Sequence, residues 1–414
     1  MADIFTLEPL AARHGDCLLL HAGPATKPMT ILIDGGPPQV WAKSLEPRLT
    51  ALAAHRPGGA FAIELAMVSH IDDDHIHGLI DMTSDWRDAV ASHAAWPFPI
   101  KQLWFNSFER IAGGDPHAVQ ASILSSTQSD GFGAIAAHVE AKTHEQADAL
   151  KILASVGQGA DLRSQAKTVG LPLNPGFSGG LVTPGKGPSD PFKMGDLELH
   201  VVGPLTKQLD DLRDAFAKEL PKGPAKALAA YTDTSVPNLS SIVVLARYKG
   251  KTVLLTGDAR GDYIVQGLKD AGLLDAQGKI NIDVLKMQHH GSDRDTAPDF
   301  FETITADHYV ASASGQYENP DRPTLEMLAK ARPKGDQYTI HLTYEVDAID
   351  VLRKQERDKA VAKAKPGKGP KPWSDADDSL KAFFAKCKAD GHKFTVWTPA
   401  SGKRQIDLLS PITF

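Results

Sequence analysis

Cysteine is scarce in this chain. Its 414 residues hold only Cys17 and Cys387, with no spacing motif between them. A disulfide framework is thereby excluded, and a reduced compartment, the cytoplasm, is the expected setting. Cys17 opens the apolar run Cys17-Leu18-Leu19-Leu20 and reads as a small packed hydrophobe. Long apolar stretches are missing too: none approaches the roughly 20 residues that cross a bilayer. Residues 1–10 lack the basic start and apolar centre of a signal peptide. Nor is there strong charge of one sign. The formal net charge of −6 argues against a surface coated for nucleic acid. What is left, 42% hydrophobic and 23% charged residues, is ordinary globular composition, and the length suits one large domain with insertions or two domains.

One stretch departs from this plain background: Ser69-His70-Ile71-Asp72-Asp73-Asp74-His75-Ile76-His77-Gly78. It follows an apolar segment, residues 62–68, that reads as a buried strand. His70, Asp72, Asp74 and His75 stand in the order H-x-D-x-D-H. Residues two apart point the same way on an extended chain, so His70, Asp72 and Asp74 converge. His75 joins them where the chain turns into a helix, and Gly78 permits close approach. Imidazole and carboxylate together suit a borderline divalent ion such as zinc or manganese. An acidic turn at a strand end is often only solvated. Histidines at both ends, and further candidates downstream, point instead to a metal site.

Those candidates repeat one design. Val253-Leu254-Leu255-Thr256-Gly257-Asp258 is an apolar strand ending in a carboxylate, and Ile31-Leu32-Ile33-Asp34-Gly35-Gly36 is another. Ile282-Asp283-Val284-Leu285-Lys286 leads into Met287-Gln288-His289-His290-Gly291-Ser292. Strands that deliver polar groups at their C-terminal ends are how open α/β sheets build sites.

Together these marks resemble the metallo-β-lactamase superfamily, whose usual signature is H-x-H-x-D-H. Within it they are similar to the soluble metallohydrolase domain of the competence protein ComEC, where the second His is an Asp, as at Asp72. His14-Gly15-Asp16, Asp34-Gly35-Gly36, the H-x-D-x-D-H run, Asn238-Leu239-Ser240-Ser241, Thr256-Gly257-Asp258 and His289-His290-Gly291-Ser292 follow the family order over roughly residues 1–320. The resemblance implies an α/β fold, the four-layer αββα metallo-β-lactamase sandwich, here with a helical insertion and a C-terminal extension. It implies two divalent metal ions, zinc or manganese. His70 and Asp72 would hold the first, Asp74, His75 and His290 the second, and Asp258 both. His290 is preferred to His289 because it stands directly before Gly291. Asp34 would be a supporting residue that orients a ligand or the metal loop. Asn238 and Ser241 stand where the wider superfamily has one more His for the first ion.

The chemistry follows. Two cations about 4 Å apart hold a bridging water, lower its pKa and stabilise charge on the attacked centre. Aspartate is harder than histidine, so Asp72 tilts the preference from zinc towards manganese or magnesium. Such an oxygen-rich site matches phosphodiester hydrolysis, whose transition state carries charge on non-bridging oxygens. Asp74 and Asp258 would then be catalytic as ligands, and His289 would stabilise charge or protonate the leaving group. Lys286 is a second candidate for that role, although a lysine at a strand end reads first as a surface residue. His77 reads as a solvent-facing residue at a helix start, and His200 as an ordinary strand residue.

Along the chain, residues 1–350 read as the hydrolase domain. Residues 4–36 form a hairpin-like pair of strands, and 107–193 a mostly helical insertion that borders the cleft. Residues 351–376 read as a basic linker containing Pro and Gly, and 377–414 as a C-terminal helix and β-hairpin. From Arg353 to Lys371, eight Lys/Arg stand against two acids. This is either a solvated linker or an arm that attracts a phosphodiester or nucleic-acid substrate. A metal-dependent phosphodiesterase or nuclease is the favoured function. The alternatives are a hydrolase of lactones, amides or small esters on the same scaffold, and a partner-binding module with a vestigial site.

Overall fold

The structure is a computed structural model that describes residues 2–55, 61–112, 144–177, 180–185, 190–219, 240–365 and 367–413. Two mixed sheets form its centre. The first contains β1 (Asp3–Pro9), β2 (Leu18–Pro24), β3 (Met29–Ile33), β4 (Leu65–Val68), β5 (Leu103–Phe105) and β14 (Ile406–Asp407). The second contains β6 (Phe192–Met194), β7 (Leu197–Gly203), β8 (Val243–Tyr248), β9 (Lys251–Leu255), β10 (Ile280–Lys286), β11 (Ile304–Ala311), β12 (Thr339–Leu342) and β13 (Thr395–Trp397). Their orders are β14-β1-β2-β3-β4-β5 and β13-β12-β11-β10-β9-β8-β7-β6. In each sheet an antiparallel meander gives way to parallel strands, at β3–β4–β5 and at β9–β10–β11–β12–β13.

Side-chain alternation along the strands separates three cores. Phe5, Leu20, Ile33 and Met67 of the first sheet face Val201, Val244, Leu255 and Val284 of the second. Leu19, Leu32 and Val68 face outwards, under α1 (Glu46–Ala54), α2 (Asp73–Ala91) and α3 (His144–Thr168). Leu245, Leu254 and Leu285 face outwards on the other side, under α4 (Gly261–Asp270), α5 (Arg322–Ala331) and α7 (Leu380–Ala389). Each of these buried apolar side chains contributes about 1.5–3 kcal/mol. This layering is consistent with an αββα sandwich. Among the described residues no helix is long and apolar enough to cross a membrane.

Three expectations need correction. Residues 4–36 form three strands, because a polar turn in which Lys27 N–H donates to Pro24 O (2.9 Å) folds the chain back to add β3. Residues 393–409 are not a hairpin. β13 lies parallel to β12 in the second sheet, and β14 pairs antiparallel with β1 in the first. Each sheet has an open edge at this end, and an edge strand takes whichever partner covers it. Lastly, residues 351–363 do not begin a linker but continue α6 (Val346–Lys363). Arg353 in that helix is buried and donates to the carbonyls of Glu318 (2.8 Å) and Asp378 (2.6 Å). Arg357 is ion-paired to Glu318 and Asp378. Of the basic stretch, Lys354, Lys359, Lys363, Lys365, Lys368 and Lys371 are exposed. Part of the expected helical insertion, residues 113–143, lies outside the described residues.

Candidate metal centre

Parallel pairing places the strand ends side by side. β3 with β4, and β9 with β10, deliver Asp34, His70, Asp258 and the His289-His290 pair to one edge of the sandwich. Asp72 is extended (φ −68°, ψ 147°) and immediately precedes α2, which begins at Asp73. His70 and Asp72 therefore come from extended chain, whereas Asp74 and His75 come from the first helical turn. The chain turns two residues earlier than the extended run to Asp74 required, because carboxylates at a helix start meet the positive end of its dipole. Two glycines bring α2 down onto the Asp34 loop. A Cβ on Gly78 would lie 2.0 Å from Gly35 O, and one on Gly35 would lie 2.3 Å from Leu79 N.

The imidazoles surround Asp258. Its Oδ1 is 3.3 Å from His75 Nε2, and its Oδ2 is 3.4 Å from His290 Nε2, 3.7 Å from His289 Nε2 and 4.0 Å from His70 Nε2. Asp74 reaches His290 Nε2 (3.5 Å) and His75 Nε2 (3.9 Å), and Asp72 reaches His70 Nε2 (3.6 Å). Asp16, His75, Asp258 and His290, all buried, offer ligand atoms within 4.8 Å of one another, a group that could hold a metal ion. Nε2 of His70, His75 and His290, together with Oδ1 of Asp258 and of Asp16, are buried and lack a hydrogen-bond partner.

The opposite faces of the rings are fully engaged. His75 Nδ1 bonds the Asp34 carboxylate at 2.9 Å, and that carboxylate also accepts from Ser69 N–H (2.7 Å) and Ser69 Oγ (2.8 Å). His290 Nδ1 bonds Ser312 O at 3.0 Å. His289 Nδ1 bonds Asp295. Asp34, His289 and His290 hold left-handed backbone (φ 58°, 45° and 57°), a disfavoured conformation that clusters at functional sites.

Burial alone would lower the histidine pKa values and raise those of the carboxylates. The contacts reverse it. Asp258, Asp34 and Asp74 hold His75 well above the ordinary imidazole range, and Asp258 and Asp16 do so for His290. His290, His75 and His289 press Asp258 well below the usual carboxylate range. Such a cluster takes up a cation by releasing protons.

One residue stands elsewhere than expected. Lys286 is not on the surface: it is 1% exposed, ion-paired with Asp16, and 3.8 Å from Asp258 Oδ1. Burial opposes its charge, but Asp16 and Asp258 raise its pKa. Asp16 was legible only as part of a motif. Its place in the cluster depends on contacts between distant strands. His77 turns away to Asp73 (2.9 Å), and His200 stays in β7 beside Glu198 (3.6 Å). Ser241 Oγ accepts from Asp258 N–H at 3.3 Å, and Asn238 lies outside the described residues. From the insertion, Ser155 Oγ donates to Asp72 at 3.3 Å, so α3 borders the site.

No protein-family model matches the chain, and no curated protein matches it. Among solved structures it is similar to a protein of unknown function from Enterococcus faecalis V583, 11% identical, with a TM-score of 0.27 over 95% of this chain and 88% of that one. A likeness that remote assigns neither fold nor function.

Proposed function

We propose that this chain is a metal-dependent hydrolase of the metallo-β-lactamase superfamily, with that superfamily's sandwich fold, and that its substrate is a phosphodiester. The observation that carries the reading is the set of buried, unbonded nitrogens of His70, His75 and His290 facing the Asp258 carboxylate. Buried polar atoms are ordinarily hydrogen-bonded, so donors gathered in this way call for a cation. In this reading His70 and Asp72 hold one divalent ion, Asp74, His75 and His290 a second, and Asp258 both. Asp16 is a supporting group, since it lies on the Nδ1 side of His290 (3.4 Å) and is ion-paired with Lys286. Zinc or manganese suits the donors, and the three carboxylates favour manganese.

Bound there, divalent ions would supply the charge that acidifies a water and offsets negative charge on a phosphoryl group. The chain's own residues do the remaining work. Asp34 and Ser312 O fix the rings of His75 and His290 so that each Nε2 points inward. Lys286 offsets part of the carboxylate charge. His289, held by Asp295 and partly open to solvent, is placed to pass a proton to the leaving oxygen.

The test is turnover of bis(p-nitrophenyl) phosphate, single-stranded DNA and a chromogenic lactone by the protein loaded with manganese or zinc. We expect the phosphodiesters to be cleaved, best with manganese, and His75→Ala to abolish cleavage while the circular dichroism spectrum is kept. Hydrolysis of the lactone alone would replace the phosphodiesterase with a small-ester hydrolase.

A further inference from the structure

The rim of the site carries an aromatic pair that the proposed chemistry does not use. Tyr317 is the most exposed of the large hydrophobic residues described, at 60%. Its backbone is left-handed (φ 57°, ψ 20°), and so is that of Glu318 (φ 69°). Bulky side chains rarely adopt this conformation, and it persists only where the surroundings enforce it.

Those surroundings are identifiable. Arg357 donates to both oxygens of the Glu318 carboxylate, through Nε at 2.9 and 3.0 Å and through Nη2 at 2.6 Å. The buried Arg353 donates to the Glu318 carbonyl at 2.8 Å. Towards the site, Asp321 N–H donates to Gly291 O (2.9 Å) and Asn319 Nδ2 to His289 O (3.5 Å), which ties the loop to the histidine turn. Tyr317 meets the ring of His14 edge to face, with centroids 5.3 Å apart, and His14 Nδ1 lies 3.0 Å from Gln316 Oε1. The His14 loop in turn rests on the metal loop, where Asp16 N–H donates to Asp74 O at 3.2 Å. The loop that carries this exposed tyrosine is thus tied to the turn of His289-His290 on one side and, through His14, to the loop of Asp74 on the other. Two arginines of the basic stretch are what hold it.

An exposed aromatic ring on a tethered loop at the mouth of a phosphodiester site has a direct use. Unpaired bases of nucleic acids are gripped by stacking on such rings, whatever their sequence. We propose that Tyr317, backed by His14, is a stacking platform for a nucleobase beside the phosphate that is cleaved. The substrate is then a nucleobase-bearing phosphodiester. This rests on the phosphodiesterase reading of the metal centre.

The test compares the p-nitrophenyl ester of thymidylate with methyl p-nitrophenyl phosphate, which share a leaving group and differ in the base. The wild-type protein is expected to prefer the thymidylate ester in kcat/KM. Tyr317→Ala should lower that preference by about tenfold or more, mainly through KM, and Tyr317→Phe should keep it. Arg357→Met, which releases the Glu318 carboxylate, should lower it in the same direction. If both esters are hydrolysed and Tyr317→Ala leaves the preference unchanged, the platform is overturned and the phosphodiesterase reading stands. If the wild type hydrolyses neither ester, that reading fails, and the platform is judged by fluorescence titration with thymidylate. Weaker binding by Tyr317→Ala than by the wild type supports the platform, and equal or absent binding overturns it.

Discussion

Asp321 shows how a single carboxylate near the site trades stability for position. Burial raises its pKa from 3.8 to about 6, although it accepts a hydrogen bond from Asp293 N–H at 3.0 Å. An acid whose folded pKa is raised gives stability that is full below its unfolded pKa and is lost as pH climbs through the folded value. The folded protein therefore carries a penalty at pH 7 that is largely gone by pH 4. Asp321→Asn removes the ionisation and can still accept from Asp293. It should stabilise the protein at pH 7 by at most about 2–3 kcal/mol and leave stability nearly unchanged at pH 4. Urea unfolding of both proteins at the two pH values decides it. A stabilisation of the same size at both would show that Asp321 ionisation is not the cause. At this scale the ligand candidates were legible because His70, Asp72, Asp74 and His75 are neighbours in sequence. The ion pair of Lys286 with Asp16 was not, because it joins the end of β10 to the loop before β2.

Helix α2 illustrates an element whose sequence propensity and packing disagree. Replacing a mid-helix glycine with alanine ordinarily stabilises by about 1 kcal/mol. At Gly78 the added Cβ would fall 2.0 Å from Gly35 O, so the Asp34 loop must move and His75 must lose its support. Gly78→Ala should lower Tm, by the equivalent of about 1–3 kcal/mol or more, and weaken metal binding with it. Gly157 in α3 has nothing within 4 Å of its Cβ position, and Gly157→Ala should raise Tm slightly. A rise at both positions, measured by calorimetry, would show that α2 does not press on the Asp34 loop at Gly78. β4 and α2 were readable from the apolar run and the turn chemistry at its end. The C-terminal strands were misread because nothing local in residues 393–409 distinguishes a hairpin from two strands that join different sheets.

For the whole molecule, the two sheets bury their shared face and leave one edge to gather polar groups from β3, β4, β9 and β10. The repeated pattern of an apolar strand ending in Asp or His made that edge legible. Which of those groups face inward was not legible, since it depends on how the two sheets stack. Divalent metal binding at this edge, through Asp258 and the histidines around it, is the proposal from which the chemistry follows. It is tested most directly by equilibrium dialysis of the metal-stripped wild type and Asp258→Ala against manganese and against zinc, followed by elemental analysis of each protein. The expected result is about two ions per wild-type chain and a marked loss in Asp258→Ala that keeps its fold by circular dichroism. A wild type that retains no metal, or an Asp258→Ala protein that binds as much as the wild type, would contradict it.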